Sequence, residues 1–138
     1  MSLTGIGFAG SSGKIMVTAT VLARVTQSVI HQETRINITQ EDIQRGFTEV
    51  PSGTILQVKT NSRDGYGLFF EGNTELFKEI CIIDKGRTTV VSPNGGFVHQ
   101  PRPKGNLEIK ELSYKLRLKK NIQPGFYSWP LRVRASLL

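Results

Sequence analysis

Cysteine and histidine are scarce in this 138-residue chain, which contains one cysteine, Cys81, and two histidines. A single cysteine excludes an intramolecular disulfide, and no cluster of Cys and His exists that could bind zinc. Cys81 lies in the apolar run Ile80–Ile83, where we expect a small buried core residue. His31 and His99 lie in polar stretches far from it in sequence, so no base for a cysteine nucleophile is predicted. The sequence therefore predicts no metal and no cofactor.

Long apolar runs and catalytic motifs are also missing. No stretch approaches the roughly 18 to 20 apolar residues of a membrane-spanning helix, and no basic region followed by an apolar block opens the chain. There is no Gly-rich phosphate loop, nucleophile elbow, helical His pair or calcium loop. Glu41 and Asp42 are adjacent acids, which a helix dipole favours in a first turn without any catalytic role. We expect a protein without a membrane span, without an export signal in this sequence, and without enzymatic activity.

Length and composition predict one folded domain. The chain has 38% hydrophobic and 21% charged residues, which is ordinary for a globular protein of this size. Residues 1–13 are rich in glycine and serine, with Ile6 and Phe8 on one side if the segment is extended. We therefore divide the chain into a leader, 1–13, and a domain, 14–138. The leader is either a flexible terminus or a donor strand for another copy.

Alternating apolar and polar residues predict strands along most of the domain. A strand is expected from Lys14 to Val25, another near Thr34–Thr39, and a short capped helix over Thr39–Gly46. Pro51–Gly53 is typical of a turn, and the run Lys78–Asp84 of a central strand. Seven to nine short strands and at most one short helix predict an all-β, antiparallel Greek-key β-sandwich.

The last third of the chain alternates most clearly. Leu107 and Ile109 are predicted to face inward, and a β-bulge at Lys110–Glu111 would restore the alternation that continues to Leu118. Pro124–Gly125 predicts a turn, and Leu131–Leu137 a closing strand with one wet face.

Positive charge is in excess, with 18 Lys and Arg against 11 Asp and Glu and a net charge of +7. Five basic residues share the outward side of the last two long strands: Lys115, Arg117, Lys119, Arg132 and Arg134. If those strands pair, one face carries five positive charges, which acidic neighbours or an anionic partner must offset. The face is either solvated or a binding patch for a polyanion such as nucleic acid or an acidic glycan.

Two aromatic residues lie beside predicted turns. Phe97 is in the longest predicted loop and Trp129 follows the Pro124–Gly125 turn. Together they could form a platform for a small molecule or glycan, but such rings more often close the open end of a sandwich core.

Two segments resemble bacterial fimbrial-type subunits, in particular the spore coat protein U-like group of secreted pilus subunits. These segments are Gly13–Val21, with its alternating Val and Ala, and Pro124–Val133, a Pro-Gly-aromatic turn leading into a closing strand. The resemblance implies an immunoglobulin-like sandwich in the periplasm, at the cell surface or secreted, with no catalytic residues. It also implies that an extended segment of one subunit completes the sheet of a neighbour. The absence of a disulfide departs from many members of that group.

Three functions are therefore expected in order. The first is a structural or adhesive subunit that associates with copies of itself or related subunits through strand edges, using Ile6, Phe8, Leu131 and Val133. The second is a polyanion-binding module that uses the five basic residues. The third is a ligand-binding domain that uses Phe97 and Trp129.

Overall fold

Antiparallel strands dominate the computed structural model, which describes residues 22–72 and 75–138. The strands in this part of the chain are β1 (Val25–Gln32), β2 (Arg35–Ile38), β3 (Phe47–Thr60), β4 (Tyr66–Gly72), β5 (Phe77–Asp84), β6 (Arg87–Val91), β7 (Gly95–Gln100), β8 (Leu107–Leu118), β9 (Gly125–Ser128) and β10 (Leu131–Ser136). One helix, α1 (Gln40–Arg45), and one 3-10 turn (Lys104–Asn106) accompany them. The predicted β-rich antiparallel class with one short helix is confirmed. Ten strands exceed the predicted seven to nine, because β1, β7 and β9 form where no strand is expected.

The strands form three open sheets. A five-stranded sheet has the order β1-β3-β8-β5-β6, a three-stranded sheet the order β10-β4-β7, and a two-stranded sheet pairs β9 with β2. The predicted central strand is confirmed, since β5 pairs with β8 on one side and β6 on the other. Of the strand predicted over 14–25, residues 14–21 lie outside the described residues, and residues 22–24 are not strand.

A single hydrophobic cluster joins the three sheets. The five-stranded sheet contributes Leu56, Val58, Ile80, Ile82, Leu112, Tyr114 and Leu116, the three-stranded sheet Tyr66, Leu68, Phe70 and Leu131, and the two-stranded sheet Ile36 and Ile38. All of these side chains are at most 4% exposed. Alternation puts them on one face of each strand, so the sheets share one interior.

Helix α1 is formed by local capping, as predicted. Thr39 accepts a hydrogen bond from the backbone N–H of Asp42, whose carboxylate accepts one from the backbone N–H of Thr39. Gly46 ends the helix in the left-handed conformation, with φ of +86°. This reciprocal pair satisfies two donors that a helix start otherwise leaves unpaired.

The predicted turn at Pro51–Gly53 is wrong, because these residues lie inside the long strand β3. The pairing of β3 with β8 is irregular between Val50 and Thr54, so the extra residues bulge out of the ladder and the strand continues. Turn-forming residues are compatible with a bulge, which also needs unusual backbone angles. Ser52, at φ of +51°, has them.

The predicted bulge at Lys110–Glu111 is also wrong. Strand β8 pairs with β3 without interruption from Leu107 to Leu112, so its even-numbered side chains face inward throughout. Leu107 and Ile109, predicted to be buried, are therefore 43% and 49% exposed. Lys110 takes the inward position and is only 4% exposed. The inward lysine is tolerated because carboxylates of the same sheet pair with it, as described below.

Candidate functional site

Strand β10 leaves one edge of the three-stranded sheet without a strand partner in the described chain. It pairs with β4 on one side, and its other side faces β1, the edge of the five-stranded sheet. The backbone N–H of Ala135 points to this open side, where it donates to Oε1 of Gln27 at 2.6 Å. Backbone groups alternate along a strand, so those of Leu131 and Val133 point the same way. A side chain, and not a backbone ladder, bridges the two edges.

A groove runs along this open edge. Its volume is about 380 Å³, and its lining includes Val29 of β1, Phe69 of β4, and Leu131 and Val133 of β10. Leu131 is buried and Val133 half-buried, so both present apolar side chains beside unpaired backbone groups. We call this surface the edge groove. An extended peptide with alternating apolar side chains matches such a surface, because it supplies both backbone hydrogen bonds and side chains for the pockets.

The opposite wall of the edge groove is a bulged strand. The register of β1 against β3 shifts between Val29 and His31, and Val29 and Ile30 are 54% and 55% exposed. A bulge on an edge strand interrupts the regular row of donors and acceptors that another strand would pair with. The flat, unbulged β10 edge is therefore the better of the two for adding a strand.

The other predicted assembly residues, Ile6 and Phe8, lie outside the described residues, which begin at Leu22. The structure thus places Leu131 and Val133 in one groove and does not test the remaining two.

The predicted basic residues belong to two different sheets. Lys115 and Arg117 lie in β8 of the five-stranded sheet and Lys119 directly follows that strand, whereas Arg132 and Arg134 lie in β10 of the three-stranded sheet. The pairing of these two strands that would join them into one face is therefore wrong. Binding of a polyanion by either group stays a prediction.

Most of these basic residues have close neighbours. Arg117 donates to Glu79 at 2.6 Å, and the Lys115 ammonium lies 4.2 Å from the ring centroid of Phe47. On the other sheet, Arg134 lies 5.4 Å from the ring centroid of Phe69. Arg132 opposes Glu71 in the ladder. Acids and aromatic rings thus offset part of the charge locally.

Phe97 and Trp129 have different partners. Phe97 is 48% exposed and its ring centroid lies 4.9 Å from that of Phe69. Trp129 packs on the core with its ring edge toward Tyr114, at 5.2 Å between centroids. The core-closing alternative thus fits Trp129, while Phe97 belongs to a separate pair on the surface. The prediction of a loop around Phe97 is wrong, because Gly95–Gln100 forms β7.

A cluster of charged side chains lies between the five-stranded and three-stranded sheets. The ammonium of Lys110 donates to Oδ2 of Asp84 at 2.6 Å and lies 3.8 Å from Oε2 of Glu108. The hydroxyl of Tyr66 donates to Oε1 of Glu108 at 2.5 Å. We call these four residues the lysine cluster. Burial, with the adjacent Glu108, raises the pKa of Tyr66 well above its ordinary range.

The lysine cluster borders a cleft of about 320 Å³. Leu68 and Phe70 of β4 and Ile82 of β5 form apolar parts of its lining. Lys85, at the rim, is 73% exposed and lies 3.8 Å from Glu108. The buried lysine therefore has apolar side chains on its inner side and water only toward the rim. In such surroundings its contacts with carboxylates are strong.

The lysine cluster escaped the sequence analysis although a signal for it exists. Lys110 has the same parity as Leu112, Tyr114, Leu116 and Leu118, the strongest alternating run of the chain. Extending that run backward without a slip would have placed Lys110 inward. The apolar Leu107 and Ile109 misled the prediction, because exposed apolar residues are common and a buried lysine is rare.

Cys81 is buried, as predicted, but not in the core. It lies on the outer face of the five-stranded sheet, opposite Lys115 and Val90, while Ile80 and Ile82 face inward. Burial, with the nearby Glu79 carboxylate, raises the pKa of its thiol. Within residues 22–72 and 75–138, no group of three His, Cys, Asp or Glu residues is placed to bind a metal. In the same part of the chain, no helix has the length and apolar character needed to cross a membrane.

Comparison with known proteins gives no match. No family model fits the chain, and neither a curated protein nor a solved structure is significantly similar to it.

Proposed function

We propose that this protein is a non-enzymatic structural or adhesive subunit that associates with copies of itself through strand edges. The observation that carries the proposal is the open edge of β10. There, backbone groups of Leu131 and Val133 point away from β4 beside their own apolar side chains. An unpaired, apolar strand edge is a template for pairing with another chain.

The occupant that we propose for the edge groove is the leader, 1–13, of a second copy. Ile6 and Phe8 have the two-residue spacing that puts both side chains on one side of an extended strand. Their partners would be the pockets beside Leu131 and Val133. The glycines of the leader would permit close approach of its backbone to the edge.

The finer assignments belong to the same proposal. An immunoglobulin-like Greek-key arrangement, a location at the cell surface or in the periplasm, and membership of the pilus-subunit class rest on the resemblance of Gly13–Val21 and Pro124–Val133. Two sheets with a shared core support a sandwich. The ladder β10-β4-β7 leaves the β10 edge available for the addition of a strand.

The test compares the full chain with a variant that lacks residues 1–13, by size-exclusion chromatography with light scattering. We expect oligomers of the full chain and a folded monomer after the deletion. A synthetic peptide of residues 3–13 should bind the truncated protein and slow hydrogen exchange at Leu131 and Val133. The same peptide with Ile6→Asp and Phe8→Asp should not bind. A full chain that remains monomeric at all accessible concentrations overturns the proposal.

A matched pair of substitutions locates the interface. Val133→Lys places a charge in the edge groove and should abolish association. Val90→Lys places the same charge on β6, at the far edge of the five-stranded sheet, where the side chain is already 57% exposed. Val90→Lys should therefore leave association unchanged. Circular dichroism of both variants establishes that they are folded.

A further inference from the structure

Lys110 is held in an unusual position for a lysine. Its side chain is 5% exposed, and its Nζ lies 2.6 Å from Oδ2 of Asp84, on the neighbouring strand of the same sheet. The Asp84 carbon is one bond beyond that oxygen, so the nitrogen and carbon are close to the about 3 to 3.5 Å of a near-attack pair. The other oxygen of Asp84, Oδ1, is buried without a hydrogen-bond partner among the described residues.

We propose that Lys110 and Asp84 form an intramolecular amide bond, with Glu108 as the proton-transferring group. The bond would join Nζ of Lys110 to Cγ of Asp84 and cross-link β5 to β8 in the middle of the five-stranded sheet. The arrangement supplies a nucleophile, an electrophile and a second carboxyl group within one cluster. No external reagent is needed.

The reaction balances within the cluster. Transfer of the shared proton from Nζ to Asp84 converts the ion pair into a neutral amine and a carboxylic acid, which apolar surroundings favour. The nitrogen lone pair attacks Cγ. Glu108 takes a proton from the nitrogen and delivers one to the departing hydroxyl, so that the C–O bond breaks as the C–N bond stays. The products are one amide and one water molecule, with no change of oxidation state.

Tyr66 positions Glu108 for this role. Its hydroxyl binds Oε1, which leaves Oε2 as the carboxylate oxygen closest to the lysine, at 3.8 Å from Nζ. Tyr66 is itself fully buried, so its orientation is fixed by the core. It is a positioning residue, because it touches Glu108 and neither reacting atom.

The product suits the site better than the reactants. An ion pair buried between sheets must overcome the loss of hydration of two charges, whereas an amide is neutral. Lys85 provides the internal comparison. It contacts the same Glu108 at 3.8 Å but is 73% exposed, so it stays hydrated and charged and is not expected to react.

Intact-mass spectrometry of the denatured full chain tests the proposal. We expect a mass lower by one water, about 18 Da, than the sequence predicts. Proteolysis should give one branched peptide that joins the segment of Asp84 to the segment of Lys110. A folded chain with its full sequence mass overturns the proposal. A water loss confined to a linear peptide with Asp64–Gly65, a sequence prone to cyclise, overturns it too.

Variants separate the roles of the three groups. Lys110→Met and Glu108→Gln should both restore the full sequence mass, and Lys85→Met should keep the water loss. Asp84→Asn should lose ammonia, about 17 Da, in place of water, since the leaving group is then an amine. A Glu108→Gln protein that is cross-linked as completely as the parent overturns the role of Glu108. The parent chain alone decides whether the bond exists, so a variant that fails to fold does not obscure the answer.

Discussion

Gly65 lies directly against the backbone of Gln100, so closely that a Cβ on Gly65 would be 1.9 Å from the Gln100 carbonyl oxygen. The glycine also has φ of +82°, which disfavours any side chain. Its neighbour Tyr66 opens β4 and pairs with Gln100 at the end of β7. The contact therefore fixes where the ladder of the three-stranded sheet begins.

Gly65→Ala should destabilise the protein far more than Gly86→Ala. Gly86 has nearly the same φ, +79°, but nothing lies within 4 Å of its added Cβ. We expect a loss of about 1 to 2 kcal/mol for Gly86→Ala from backbone strain alone. Gly65→Ala should lose more than about 3 kcal/mol, because backbone must also move. Urea denaturation measures both. Equal losses would show that the close approach to Gln100 contributes nothing.

Asp42 should make the stability of the protein depend on acid pH. Burial alone would raise the pKa of its carboxyl, but hydrogen bonds from Thr39, Arg45 and Thr48 outweigh burial and lower it below 3.8. A lowered pKa in the folded state means that the stabilisation is present above the unfolded pKa, about 3.9, and is lost as pH falls through the folded value. Asp42→Asn should therefore cost about 1 kcal/mol near pH 7 and progressively less below about pH 4.

Glu41→Gln is the matched control for this titration. Glu41 is an exposed acid in the same first turn of α1. Its substitution should change the free energy of unfolding by less than about 0.5 kcal/mol across the same pH range. Urea unfolding of the three proteins at several pH values provides the measurement. A gap between wild type and Asp42→Asn that stays constant with pH would contradict the prediction.

The fold class could be predicted because period-two burial and local capping act over short stretches. Ile36 and Ile38 alternate with polar neighbours, and the Thr39–Asp42 capping box depends only on residues three apart. The Pro51–Gly53 segment failed because the same residues suit a turn or a bulge. Pairing with β8 on both sides of the segment decides between the two, and that pairing is long-range.

The site could be predicted only in part, for a related reason. The inward parity of Leu131 and Val133 is local and was predicted, but the open edge beside them depends on which strand pairs with β10. Lys110 shows the stronger failure. A lysine is a poor core residue by itself, and it becomes acceptable only because Asp84 and Glu108 arrive from distant parts of the ladder.

Tyr114→Phe should destabilise the protein and change its response to alkaline pH. The hydroxyl of Thr54 donates to Gln32 at 2.9 Å, so the 2.7 Å contact between Thr54 and Tyr114 uses the proton of the tyrosine. Losing that donor should cost about 1 to 2 kcal/mol at pH 7. Burial raises the pKa of Tyr114 to about 12 from its ordinary 10. The stabilisation is thus present below about pH 10 and lost as pH rises toward 12.

Tyr127→Phe serves as the control for the tyrosine substitution. The Tyr127 hydroxyl donates to the backbone carbonyl of Gln123 near the surface. Its loss should cost less than about 1 kcal/mol. Thermal unfolding of both variants between pH 7 and about pH 11 compares them. If Tyr114→Phe behaves as Tyr127→Phe does, the buried hydrogen bond to Thr54 does not contribute to stability.

Ile109→Ala should cost little, although sequence alternation alone would place this residue in the core. Ile109 is 49% exposed, whereas Leu116, on the inward side of the same strand, is fully buried. We expect Leu116→Ala to lower the free energy of unfolding by about 2 to 5 kcal/mol, because it leaves a cavity. Ile109→Ala should lower it by less than about 1 kcal/mol, since water already reaches half of the side chain. Chemical denaturation of the two variants compares the two sides of β8. A loss for Ile109→Ala that equals the loss for Leu116→Ala would mean that β8 has the opposite register, with Lys110 in solvent and no lysine cluster.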